Sequence, residues 1–223
     1  MQIITNAWLG NLLVKIGAAT ESKESPQEEP KPVPSVPPRS NQGDTKSPDF
    51  EFLWLQCKIN DKDQKYVDNA CASLLKNKGR YETISKATGV PWYVIVVIHR
   101  LESNCNFGTH LHNGDSLKAR TVQVPAGRPK TGTPPFTFEE SAIDALGYDG
   151  ATGIKDWSIV ATLKFLERYN GMGYRNHGIY SPYLWSGTNH YTKGKYVADG
   201  VWNAEAVSDQ IGCAALMKVL MEE

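Results

Sequence analysis

VPWYVIVVIHRLESNCNFGTHLHNGDSLKART, residues Val90 to Thr121, is the stretch on which the fold turns. It opens with Pro91, a residue favoured in the first turn of a helix. Behind it Trp92, Tyr93, Val94, Ile95, Val96, Val97 and Ile98 are apolar at every position. A helix apolar on all faces has nothing to give to water and is buried. This one is too short to span a bilayer, which takes about 20 apolar residues. His99 and Arg100 follow, then Leu101 and a carboxylate, Glu102, after which the chain turns polar and delivers Asp115 and Thr121. Burial disfavours the charged form of a carboxyl, so a Glu carried by such a helix to the lip of a polar segment has a raised pKa. A carboxyl that stays protonated near neutral pH can serve as a general acid. The helix macrodipole also opposes a carboxylate at a C-terminal end, so a purely structural role does not explain Glu102.

Working outward from this helix, the pattern predicts a mainly α domain with one small β or loop region, the α+β arrangement, beginning near Asp49. An apolar patch (Phe50, Phe52, Leu53, Trp54, Leu55) leads into a helix over 62–76, where Tyr66, Val67, Ala70, Leu74 and Leu75 recur at helical spacing. Gly79 is expected to end it. A short helix over 81–88 is closed by Gly89. After the buried helix, residues 104–137 read as loop, with a small hairpin around Thr121–Val124. Helices follow over 139–146 and 157–169, separated by a Gly-rich turn at 147–153. Residues 170–203 have loop composition with many flat rings, and a final helix is expected over 205–221.

The N-terminal quarter reads differently. Residues 20–48 hold seven of the thirteen prolines among Glu, Lys, Ser and Gln, a composition that favours an extended flexible linker. Residues 1–19 carry apolar patches around Trp8 and are too few to fold alone. They read as an attachment peptide or as a tail that folds back. The small residues Gly17, Ala18 and Ala19 look like a secretory cleavage site, but there is no basic leading region and Lys15 interrupts the apolar run. Formal net charge is zero, which removes any bulk electrostatic drive toward nucleic acid or an anionic membrane. Cys57, Cys71, Cys105 and Cys213 are scattered without a CxxC pair and read as free thiols. No stretch is long and apolar enough for a membrane span.

Leu101-Glu102-Ser103-Asn104-Cys105-Asn106-Phe107, at the end of an apolar helix, resembles the catalytic-Glu motif of the lysozyme-like superfamily, which includes goose-type and phage lysozymes and lytic transglycosylases. Tyr169-Asn170-Gly171-Met172-Gly173-Tyr174 resembles that superfamily's cleft-lining element and follows in the right order. Asp115 and Thr121 are spaced like the Asp-Thr pair of phage-type lysozymes. The twelve residues between Glu102 and Asp115 are closer to the goose-type spacing. The run from Asp115 to Pro129, DSLKARTVQVPAGRP, resembles phage endolysins and bacterial muramidases. The resemblance covers roughly residues 60–220.

It implies a peptidoglycan hydrolase, a muramidase cutting the β-1,4 bond between N-acetylmuramic acid and N-acetylglucosamine. In that reading Glu102 protonates the glycosidic oxygen, while Asp115 stabilises the cationic centre or orients water, with Thr121 helping. Tyr169, Asn170 and Tyr174, with Arg120, Arg175, Tyr183 and Trp185, are the expected glycan-binding residues. No cofactor or metal is implied. His110 and His112, two apart on a loop, do not have a zinc spacing. Three further readings stay open, one of them a zinc amidase that would use these histidines. A lytic transglycosylase on the same fold is disfavoured by the lack of a GLMQ-like motif. The third is a catalytically inactive glycan-binding part of a phage tail or injection particle, held through residues 1–19. The expected partner is the glycan strand, not nucleic acid, met in the periplasm or cell wall after release or injection from the cytoplasm.

Overall fold

The computed structural model describes residues 48–223. The expectations for residues 1–19 and for the linker lie outside the described residues, apart from Pro48. The domain is mainly helical. Its helices are α1 (Phe50–Gln56), α2 (Asp61–Leu75), α3 (Lys78–Thr88), α4 (Trp92–Ser103), α5 (Phe138–Tyr148), α6 (Ile159–Asn170), the short α7 (Pro182–Trp185) and α8 (Cys213–Leu220). Single 3-10 turns cover Ala151–Gly153 and Gly173–His177, and two strands, β1 (Lys195–Ala198) and β2 (Val201–Asn203), form an antiparallel hairpin. Among the described residues no helix is long and apolar enough to cross a membrane.

α4 is the centre. Its middle is β-branched (Val94, Ile95, Val96, Val97, Ile98), a composition with poor intrinsic helix propensity. All five side chains are fully buried, so packing rather than propensity makes this helix. α3 and α8 pack directly against it, α2 backs α8, and α5 packs on α3. His99 is buried in the same core. Its Nδ1 meets the Tyr81 hydroxyl at 2.9 Å and its ring stacks on Phe138 at 4.1 Å. Burial holds the His99 imidazole down at about 4, so it is neutral at physiological pH.

Helix ends follow local chemistry. Asp49 caps α1 by accepting the Phe52 N–H. Thr137 and Glu140 form a reciprocal capping box at α5. Gly89 closes α3 in a left-handed conformation. Gly212 is required by a close approach. A Cβ there would sit 2.5 Å from the Leu184 carbonyl oxygen, because the start of α8 lies directly on the backbone of α7.

Four expectations need correction. Gly79 does not end the 62–76 helix, because the break falls at Lys76–Asn77 and Gly79 lies inside the first turn of α3. No hairpin of strands forms at Thr121–Val124: the Asp115 carboxylate takes the Val122 and Gln123 N–H groups, while Thr121 bonds the backbone of Arg128 and Gly127 across a closed loop. The hairpin lies instead at Lys195–Asn203, within the segment read as loop. The final helix begins at Cys213, not at Glu205, since the Asn203 side chain accepts the Glu205 and Ala206 N–H groups and Ser208 Oγ accepts that of Gln210 in local turns. The four cysteines are all free.

Candidate active site

Glu102 lies in the last turn of α4. The helix stops one residue later because Asn104 and Cys105 both take left-handed backbone angles, φ 51° and 58°. The Cys105 N–H turns back to the His99 carbonyl at 3.1 Å, and the Gln210 amide donates to the Leu101 carbonyl at 3.2 Å. Asn tolerates this conformation, whereas Cys adopts it at a cost, so the chain holds local strain directly beside Glu102. The Glu102 side chain is 9% exposed. Its Oε1 accepts a 2.8 Å hydrogen bond from the Tyr183 hydroxyl, presented by α7. Burial pushes its pKa up to about 8, with the negative charge of Asp149 adding to the rise and the Tyr183 bond opposing it. Glu102 is therefore mainly protonated at neutral pH.

The surroundings share this character. Tyr169, in the last turn of α6, has its phenol pushed well above the usual range by burial and then by the charges of Asp149 and Glu102. The Tyr183 phenol is raised in the same direction, by burial first and then by Glu102. The Cys213 thiol, at the start of α8, is raised by burial and by Glu102. Four elements thus converge on one carboxyl: α4, α6, α7 and α8.

Asp149 is the second carboxyl group of this cluster. It follows the last residue of α5, and its backbone N–H closes the helix on the Ala145 carbonyl at 2.9 Å. Burial raises its side chain to about 6, against the field of Arg128, which lowers it. The order of the two carboxyl groups is therefore fixed by surroundings: Glu102 is the weaker acid and Asp149 the stronger.

Asp115 and Thr121 lie in the loop that carries Arg128. Asp115 Oδ2 accepts the backbone N–H groups of Val122 (2.8 Å) and Gln123 (3.0 Å). Thr121 is buried. Its hydroxyl donates to the Pro125 carbonyl and accepts the Arg128 N–H at 2.9 Å, and its own N–H donates to the Arg128 carbonyl at 2.8 Å. Arg128 in turn pairs with Asp144 at 2.7 Å and lies 4.9 Å from the centre of the Tyr148 ring. Both residues thus organise the backbone around Arg128.

The expected glycan-binding residues divide. Tyr169 and Tyr183 join the Glu102 cluster. Asn170 donates to the Ser181 hydroxyl at 3.3 Å, tying α6 to the turn before α7. Tyr174 packs edge-on to Tyr196 and Trp202 of the hairpin, at 5.2 and 6.0 Å. Arg120 donates to the Gly132 carbonyl, and Arg175 pairs with Glu167. Trp185 is 1% exposed and edge-on to His190, a core residue rather than a cleft wall.

His110 spends Nδ1 on Ser141 and Nε2 on the Ala119 carbonyl, both at 2.8 Å, and His190 Nε2 meets the Leu53 carbonyl. Among the described residues no group of three or more metal-ligating side chains comes together. A cavity of about 380 Å³ opens on α6, bounded by Lys164, Glu167, Arg168 and Arg175 over Ile154 and Met172, and Glu102 is not among its walls.

Sequence reasoning missed Asp149 and Arg128. The signal for Asp149 was the one that singled out Glu102, a carboxylate at a helix C-terminus against the dipole. Arg128 had no local signal, because its role depends on a loop that folds back toward α5. Compared with known proteins, the chain matches no family model, no curated protein and no solved structure.

Proposed function

We propose that this chain is a peptidoglycan hydrolase of the muramidase type on a lysozyme-like fold, acting on the β-1,4 bond between N-acetylmuramic acid and N-acetylglucosamine. The single observation that carries the reading is Glu102, a carboxyl held protonated near neutral pH at the end of a buried helix and aimed by Tyr183. Glu102 gives its proton to the glycosidic oxygen as the bond to the anomeric carbon breaks. Tyr183, donating to Oε1, fixes the carboxyl group and stabilises the anion that remains. Asp115 and Thr121 act through the loop, by holding the backbone on which Arg128 is mounted. The substrate would be met in the periplasm or cell wall after release or injection.

The test is a digest of purified sacculi with wild type and Glu102→Gln, with the fragments read by mass spectrometry. The reading expects reducing muramic ends from wild type and a loss of 10²-fold or more in the variant, the scale of a general acid. Equal rates from the two proteins would remove it. Anhydro-muramic ends from wild type would make the protein a lytic transglycosylase. Binding to sacculi without turnover would make it the inactive glycan-binding component.

A further inference from the structure

Three successive pieces of chain enclose the cavity of about 380 Å³: Ile154 after the first 3-10 turn, one face of α6, and the second 3-10 turn with Met172 before it. Gly171, at φ 101°, turns the chain back from the end of α6 and lets Arg175 return to the helix. Arg175 grips Glu167 through two parallel bonds, Nε to Oε1 at 3.1 Å and Nη2 to Oε2. The Glu167 carboxylate is buried beneath this fork and neutralised by it. Arg175 Nη1 keeps its donors, with no partner among the described residues.

Lys164 and Arg168 have no such counterpart. They stand one turn apart on α6, both exposed, and neither side chain makes a hydrogen bond or ion pair with any described residue. Like charges at this spacing repel and weaken a helix. The helix dipole compensates Arg168, which lies in the last turn, but fades before Lys164. The cavity therefore sets three cations against one carboxylate, over the apolar side chains of Ile154 and Met172. That pattern selects an anion with small apolar groups beside it. Small-ligand sites span about 300–1,000 Å³, so this cavity lies at the low end and suits a few residues rather than a saccharide strand.

We propose that this cavity binds the carboxylates of the peptide stem that muramic acid carries. The inference rests on the peptidoglycan reading above, which supplies the identity of the ligand. Where a stem is attached, the lactyl carboxyl of the sugar is tied up in an amide and the glycan itself is uncharged. The stem, by contrast, is an amino-acid chain with free carboxylates beside alanine methyl groups. Lys164, Arg168 and Nη1 of Arg175 take the carboxylates, and Ile154 and Met172 take the methyl groups. Two hydrogen bonds connect the helix that bears the cavity with the proposed acid. Asn170, the last residue of α6, donates to Ser181 Oγ at 3.3 Å, and Tyr183, two residues further on, donates to Glu102 at 2.8 Å. Stem and scissile bond are thus held by one connected frame, and the enzyme favours strands that still carry charged peptide.

The experiment titrates the full-length protein, by amide NMR, with a synthetic stem tetrapeptide, with the same peptide after every carboxylate is amidated, and with inorganic phosphate. It compares wild type with the double variant Lys164→Gln/Arg168→Gln, whose two positions are exposed, so that the core is untouched. Wild type is expected to bind the charged peptide about tenfold more tightly than its amide, with shifts along 164–175 and an affinity that falls as salt rises. The double variant loses about tenfold in that affinity, at a Tm unchanged or raised because a like-charge repulsion has gone. On sacculi, amidating the stem carboxylates raises the wild-type KM by a similar factor at constant kcat, and the double variant no longer distinguishes the two substrates. Equal affinity of wild type for the peptide and its amide overturns the proposal, as does full affinity in the double variant. Phosphate binding as tight as that of the peptide would overturn the stem assignment in favour of a general anion site. Muropeptide release without peptide binding would overturn the cavity's role and keep the muramidase. Peptide binding by a protein that releases no muropeptides would keep the stem site and overturn the muramidase.

Discussion

Removing the Tyr183 hydroxyl is the perturbation whose consequence follows most directly from the geometry. Tyr183 donates to Glu102 Oε1 at 2.8 Å, and both side chains are buried. A hydrogen bond to a charged acceptor is worth about 1.5–3 kcal/mol and one between neutral groups about 1 kcal/mol. The Tyr183→Phe change therefore costs the Glu102 anion about 0.5–2 kcal/mol more than it costs the neutral acid. At 1.36 kcal/mol per pH unit, the Glu102 titration moves upward by about one unit from its present position near 8. In the proposed muramidase reaction Glu102 acts as the protonated acid, so activity falls as pH rises through its pKa. In Tyr183→Phe the alkaline limb of the pH–rate profile shifts upward by about one pH unit. Loss of the bond in the neutral form lowers stability at pH 6 by about 1 kcal/mol. The assay is reducing-end release from sacculi between pH 5 and pH 10, with urea unfolding at pH 6 as the control. An alkaline limb that stays in place or moves down would refute the claim that Tyr183 stabilises the Glu102 anion.

Further outcomes follow from the same contacts. Folded Glu102 keeps its proton to about 8 whereas its ordinary value is 4.5, so the folded state binds more protons in that window and stability falls as pH rises through it. Glu102→Gln should match wild type near pH 4 and exceed it by several kcal/mol at pH 9, on the order of 1.36 kcal/mol for each unit of the difference. A gap in urea midpoint that does not vary with pH would contradict this. Asp115→Ala frees two backbone N–H groups in a partly exposed loop and should cost about 1–3 kcal/mol of stability, with activity falling alongside. Abolished turnover at an unchanged Tm would instead give Asp115 a chemical role. Gly212→Ala places a methyl against the α7 backbone and should lower stability by about 1–3 kcal/mol, the usual cost of overpacking. An unchanged Tm would show that α7 and α8 are not in that contact.

Much of this was legible in the chain because the strongest signals were local. The unbroken apolar run at Val94–Ile98 announces a buried helix whatever its partners. Glu102 is visible because it ends that run. The boundaries of α2, α4 and α6 fall within two residues of the periodic pattern. What failed depended on contacts between distant residues. Thr121–Val124 has β-branched residues in alternation, yet Asp115 takes up its N–H groups, so no strand forms. The segment 195–203 looks like loop because Gly, Asp and Asn punctuate it, but Tyr174, His177, Tyr196 and Trp202 pack their rings together and hold a hairpin there. Trp185 sits in a loop-like composition and is buried all the same, since α8 closes over α7. For the site, spacing pointed to Asp115 as the second carboxylate. The hydrogen bond that Tyr183 gives Glu102 cannot be read without knowing that α7 lies against the end of α4.

The measurement that tests the account most directly is the titration of the Glu102 carboxyl itself, by carbon-detected NMR of protein labelled at the Glu side-chain carboxyl, with Glu102→Gln to assign the signal. The account predicts a midpoint near 8, with Glu102 still protonated at pH 7. A midpoint in the ordinary range near 4.5 would leave it ionised at pH 7 and would remove the general acid on which the function rests.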